Sequence, residues 1–203
     1  MLIVALVFGW AINHSLCAQE IQLGSVTFAA EHGGIQLIEA SGEGSRTDPF
    51  VVVEEITDAS RAILTIRNLA SNFGNTRYVH SGMGFVLVKI VRNMTDEPWY
   101  GFEFELRERL DRVSDLHDGL SFGQATGEHR FFESSRYTTI DTRLEPLDVI
   151  RFSGDAVLPG EAVAFRVSVT DYSPQAEFFL LQRRDSPLSN DRPFRWMTCA
   201  ACD

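Results

Sequence analysis

Lysine is nearly missing from this chain: Lys89 is the only one in 203 residues, and every other cationic side chain apart from histidine is arginine. We read that bias as the coding chemistry of a GC-rich bacterium. Cations of both kinds number 18 against 28 aspartates and glutamates, for a formal net charge of −10. Nucleic acids and anionic membrane surfaces are bound through basic patches, so this balance argues against both partners. Cysteine is scarce as well, with three in the chain. Apart from the first residues there is no long hydrophobic run, and no stretch carries a 3.6-residue apolar stripe beyond one turn. Leu106–Leu116 is the one place where a short helix is considered. Internal repeats, low-complexity segments and long linkers are absent from the sequence.

What is present begins at the N-terminus. Leu2 to Ile12 is apolar, residues 1–18 carry no acidic or basic side chain, and the run ends in small and polar residues. It is shorter than the ~20 apolar residues that span a bilayer, and it has the size of a signal-peptide core. Cleavage is expected after Ala18, although Leu16 at the −3 position is larger than usual and no Lys or Arg precedes the core. Cys17 offers the alternative of a lipidated N-terminus, again with Leu16 where a small residue is preferred. The expectation is a secreted or periplasmic protein starting at Gln19, with no membrane span after cleavage. Residues 19–203 then suffice for a single domain.

The dominant period is two, the period of strands. Phe102, Phe104 and Leu106 alternate with Glu103, Glu105 and Arg107. Val163, Phe165, Val167 and Val169 alternate with Ala164, Arg166 and Ser168. Phe85–Val91 is almost continuously apolar and suits a central strand covered on both faces. Further strands are expected at Ile21–Ala29, Ile35–Glu39, Phe50–Ile56, Ala62–Asn68, Thr76–His80, Tyr137–Asp141, Val149–Ser153 and Phe178–Gln182. Turn signals separate them at Glu31-His-Gly-Gly34, Ser41-Gly-Glu-Gly44, Ser81-Gly-Met-Gly84 and Pro159-Gly160. Short strands split by such turns indicate an all-β, antiparallel sandwich of immunoglobulin-like or jelly-roll type. The domain is expected over residues 19–185, and Ser186–Asp203 as a loosely packed or disordered tail.

Two blocks carry a resemblance. One is the strand, polar turn and Trp-led strand of Val91-Arg-Asn-Met-Thr-Asp-Glu-Pro-Trp99-Tyr-Gly-Phe-Glu-Phe-Glu-Leu106. The other is Phe152-Ser-Gly-Asp-Ala-Val-Leu-Pro159-Gly160 with Phe165-Arg-Val-Ser-Val-Thr-Asp171 and Phe178-Phe-Leu-Leu-Gln182. Together they are similar to secreted bacterial immunoglobulin-like β-sandwich ectodomains, over about half of the mature chain. The resemblance implies an exported sandwich of unknown role and brings no catalytic residues. The signal peptide, the alternating strands and the lack of a catalytic motif favour a non-enzymatic binding, adhesive or structural module of the cell envelope, its partner left open, with an envelope protein and a surface glycan as candidates.

Candidate chemistry is sparse. Cys199-Ala-Ala-Cys202 lacks the following helix and βαβ setting of a redox motif, and two ligands fall short of a zinc site. A local disulfide between Cys199 and Cys202, a cross-link between chains, or a loosely ordered tail are the readings left open. Asp115 and Asp118 in Asp111–Gly119 are the calcium candidates, since that ion takes several oxygens from one loop; the spacing is not that of an EF-hand, and the competing reading is a solvated loop with Asx turns. His32, His80, His117 and His129 form no paired zinc motif. Ser121 in Gly119-Leu-Ser-Phe-Gly123 matches the spacing of a nucleophile elbow without the helix that must follow it. Glu103 and Glu105 share a face, which reads as wet sheet surface more readily than as a glycosidase pair. Trp99 and Tyr100 invite carbohydrate stacking, against core packing for Trp99. Asn93-Met-Thr95 fits a glycosylation acceptor or a turn bonded to its own backbone. We therefore assign no catalytic residue, cofactor or metal. A hydrolase built from loop carboxylates with His117 or His129 is one alternative. A subunit that lends the strand Ile21–Phe28 to a neighbour is another.

Overall fold

The computed structural model describes residues 19–69, 83–112, 118–123, 132–143, 148–171 and 175–185. The expected leader, the strand expected at Thr76–His80 and the tail from Ser186 lie outside these residues. Among those described, every regular element is a strand: β1 (Gln19–Leu23), β2 (Val26–Ala30), β3 (Gln36–Ser41), β4 (Phe50–Ile56), β5 (Ala62–Arg67), β6 (Met83–Asn93), β7 (Trp99–Arg107), β8 (Leu120–Phe122), β9 (Phe132–Ser134), β10 (Thr139–Arg143), β11 (Val149–Val157), β12 (Ala162–Asp171) and β13 (Glu177–Asp185). Seven form one sheet in the order β1-β2-β5-β13-β7-β11-β10. The other sheet runs β3-β4-β6-β12-β8, with β9 also paired to β12. The protein is an all-β sandwich.

Alternation decides what fills the gap between the sheets. On β7, Phe102, Phe104 and Leu106 are buried in the core, and on β12 so are Val163, Phe165, Val167 and Val169. Phe165 is the hub. Its ring lies 4.9 Å from Phe102, 5.0 Å from Phe104 and 4.7 Å from Phe152, and it stacks on Tyr137 at 6.0 Å. Offset and edge-on ring pairs at such spacings add to the burial term. Farther along the sandwich, Phe50 contacts Phe28 and Phe85, and Phe85 contacts Phe178, so β4 and β6 lie over β2 and β13. At one flank Leu37 N donates to Gln19 Oε1 at 2.8 Å, tying the edge strands β3 and β1 of the two sheets together.

Four details depart from the sequence pattern. Ile21–Ala29 is two strands rather than one. Gly24, at φ 60°, begins a two-residue turn that pairs Leu23 with Val26, and only glycine takes that conformation without strain. Phe85–Val91 is covered on both faces only at its start: Phe85, Leu87, Lys89 and Val91 point into the core, while on the other face Val86 is buried and Val88 and Ile90 are half-buried. Of Leu106–Leu116, where a short helix is considered, residues 106 and 107 end β7 and the described residues 108–112 turn back instead, with Arg107 donating to the Leu110 carbonyl at 3.0 Å. That turn lays Leu110 over a small outer cluster of Ile63, Phe179 and Leu181. Finally, β4 and β6 pair in parallel. The chain crosses to the other sheet for β5 between them, so both strands of the pair are entered from the same end.

Candidate functional site

The inward positions of β4 are Phe50, Val52, Glu54 and Ile56, and those of β6 are Phe85, Leu87, Lys89, Val91 and Asn93. The parallel register sets Lys89 beside Val52 and Glu54 beside Val91, so the two ionisable groups are diagonal neighbours on one face. Lys89 Nζ donates to Glu54 Oε2, and both side chains are 0% exposed. The chain's single lysine is thus sealed inside the sandwich against a carboxylate.

Such a pair is electrostatically demanding. Burial pulls the Lys89 ammonium below the ordinary lysine range, and the charge and hydrogen bond of Glu54 act against that shift. The second carboxylate oxygen, Glu54 Oε1, has no hydrogen-bond partner. Removing two charges from water is repaid only by good geometry and full hydrogen bonding, and here the bonding is incomplete.

The facing sheet adds polar groups. Phe178, Leu180, Gln182 and Arg184 occupy successive inward positions on β13, and Gln182 is 1% exposed. Neither Oε1 nor Nε2 of Gln182 has a hydrogen-bond partner. The height of Gln182 follows from its neighbours. Phe85 and Phe178 are in contact at 6.2 Å, and β6 and β13 both run from there toward Trp99. Arg184 lies 5.9 Å over the Trp99 ring, while Asn93, at the end of β6, bonds Thr95, whose hydroxyl accepts the Trp99 indole N–H. Two alternate positions on from the phenylalanine contact are Lys89 on β6 and Gln182 on β13, at matching heights across the gap. One further step brings Arg184, which donates to the Ser60 carbonyl at 3.0 Å.

Outside the core, charges are tied across strands on the outward face of the seven-stranded sheet. Arg67 on β5 reaches Glu20 on β1, Glu177 on β13 and Glu31. Arg183 on β13 bridges Glu103 and Glu105 on β7 at 2.6 and 2.5 Å, and Arg107 holds the other oxygen of Glu105. Arg151 on β11 reaches Asp185 on β13. The hydrogen bond from Arg67, ahead of any other influence, holds the Glu31 carboxyl below the usual glutamate range. A carboxyl depressed in the folded state stabilises above its unfolded pKa, near 4.5, and loses that contribution as pH falls through the lower folded value. The stability gap between the wild type and Glu31→Gln should therefore shrink as denaturation is followed from neutral pH to below about pH 4.5.

The residues singled out in the sequence fall as follows. Asp115, His80, His117, His129, Cys199 and Cys202 lie outside the described residues. Asp118 accepts the Leu120 N–H at 3.1 Å, an Asx turn leading into β8. Among the described residues no three His, Cys, Asp or Glu side chains gather as a metal site. Ser121 sits within β8 opposite Thr170 and donates to the Phe122 carbonyl, a strand residue rather than an elbow. Glu105 is 4% exposed beneath its arginines, so it is no wet-surface residue. Trp99 is core at 1% exposure beside a half-exposed Tyr100. Asn93 and Thr95 close a turn: the Asn93 amide donates to the Glu97 and Val157 carbonyls, and its oxygen accepts from Thr95. His32 rests edge-on against Phe179 at 5.9 Å. The segment Ile21–Phe28 is hydrogen-bonded in its own sheet, with Val26 and Phe28 fully buried.

Sequence reading passed over Glu54, Lys89 and Gln182. Parity was the signal that pointed to them, since each sits an even number of residues from an inward phenylalanine. Comparison with protein-family models, with curated proteins and with solved structures finds no match to this chain.

Proposed function

We propose that this chain is an exported, non-enzymatic β-sandwich of the bacterial cell envelope, serving as a structural or adhesive module of the kind found in secreted immunoglobulin-like ectodomains. The observation that carries this reading is the run of side-chain ties on the outer face of the seven-stranded sheet. Arginines link β1 to β5, β5 to β13, β13 to β7 and β11 to β13. Carboxylates spent pairwise between strands brace a surface; they do not converge on a cleft as an acid–base pair would. Bidentate or networked arginine contacts hold strand edges in register where isolated surface pairs contribute little. The apolar run Leu2–Ile12 supports export, and the net charge of −10 suits a soluble surface-facing protein.

Fractionation of the native host with an antibody to residues 19–185 tests the reading. The expected result is a chain beginning at Gln19 in the periplasm, the medium or the envelope fraction. A full-length chain confined to the cytoplasm would contradict it.

A further inference from the structure

We propose that the Asp48–Pro49 peptide bond is a self-cleavage site, attacked by the Asp48 carboxyl and activated by the loop that joins β3 to β4. It is the only Asp–Pro bond in the chain. An aspartyl carboxyl reaches its own main-chain carbon through a five-membered ring. The tertiary proline nitrogen is more basic than an ordinary amide nitrogen, so it leaves more readily once protonated.

Residues 42–49 add what an unfolded Asp–Pro bond lacks. The Asp48 carbonyl oxygen, on which negative charge develops during the attack, accepts the Ser45 N–H at 2.9 Å and the Glu43 N–H at 3.2 Å. The Ser45 hydroxyl donates to the same oxygen at 3.4 Å. Donors already aimed at such an oxygen make the oxyanion holes of acyl transfer. Ser45 Oγ also accepts the Asp48 N–H at 2.9 Å, which pins the residue from its other side. Glycine makes this convergence possible. Gly42 and Gly44 lie at φ 91° and 78°, and a Cβ on Gly42 would stand 1.9 Å from the Pro49 carbonyl oxygen. The Asp48 side chain is exposed and enters no ion pair among the described residues, so its carboxyl is available to react.

The step balances with water as the only co-reactant. The hydroxyl oxygen of the protonated carboxyl adds to the Asp48 main-chain carbon, and its proton passes to the Pro49 nitrogen. The C–N bond breaks, which frees Pro49 as a secondary amine and leaves Asp48 as a cyclic anhydride. One solvent water opens the anhydride to two carboxyls. In acid the freed amine takes up a further proton, which stops it from adding back. The two pieces stay together, because β3 pairs with β4 across the cut and β2 with β5. Val26, Phe28 and Leu37 keep the first piece anchored in the core.

The full purified chain in mildly acidic buffer tests this, folded by circular dichroism in one arm and unfolded with guanidinium in the other. Mass spectrometry follows the fragments over time. The folded chain should yield a piece ending at Asp48 and a piece beginning at Pro49 at least about tenfold faster than the unfolded chain, which has lost the oxyanion donors. Asp48→Ala, a change at an exposed position, should stay whole in both arms. An equal or slower rate in the folded chain would overturn the proposal, because the loop would then contribute nothing. Cutting of Asp48→Ala at the same bond would overturn it as well, since the carboxyl would not be the attacking group.

Discussion

Replacing Lys89 by methionine lowers stability by about 3–5 kcal/mol, the usual consequence of stripping one partner from a buried ion pair. Methionine fills nearly the volume of the lysine stem, so little of the loss comes from a cavity. It comes from Glu54, which is 0% exposed and bonded through Oε2 to Lys89 alone. Deprived of that ammonium, the carboxylate must take up a proton or stay charged among Val52, Val91 and their neighbours. Methionine at both positions 54 and 89 should recover most of the loss, because apolar side chains of similar volume replace a buried pair at little or no net expense. Urea denaturation provides the readout, with the midpoint moving and the slope unchanged. A single Lys89→Met variant as stable as its parent would mean that the pair is solvated.

The second large effect is expected at Phe165. Truncation to alanine should cost about 3–5 kcal/mol, the range for an aromatic removed from a core that cannot collapse. Its ring touches Phe102 and Phe104 on β7, Phe152 on β11 and Tyr137 before β10. Neighbours on three separate segments of the other sheet cannot close together over the vacated space without disturbing their own pairing. Leu158→Ala serves as the contrast. That side chain is 47% exposed, and its loss should change stability by no more than about 0.5 kcal/mol. Comparable midpoints for the two variants would show that the packing around Phe165 is looser than the ring distances imply.

Much of the architecture was legible in the residues because sheet faces are written in parity. Phe102, Phe104 and Leu106, and Val163 to Val169, were assigned inward from alternation, and the sandwich buries them. The hairpin at Gly24 was not legible, because Ile21 to Ala29 is apolar enough to read through a turn that needs only two residues. The short strands β8 and β9 carry too few residues to show any period, and only their partner β12 defines them. The central cluster was hidden for another reason. In Phe85–Val91 both faces are apolar or half-buried, and the eye loses the parity that puts Lys89 inward. Glu54 shares its run with Glu55, and one residue of register separates the carboxylate in the core from the one that meets Arg92 at the surface. No local signal in the sequence brings Gln182 opposite Lys89. Only the sheet order does that.

The most direct test of a sealed polar centre uses the scarcity of lysine. An amine-acylating reagent should leave Lys89 untouched while the chain is folded and label it readily once the chain is unfolded in denaturant. Acylation of Lys89 in the folded protein at the rate of an exposed lysine would show that the amine is open to solvent, and the account of the Glu54, Lys89 and Gln182 cluster would fall.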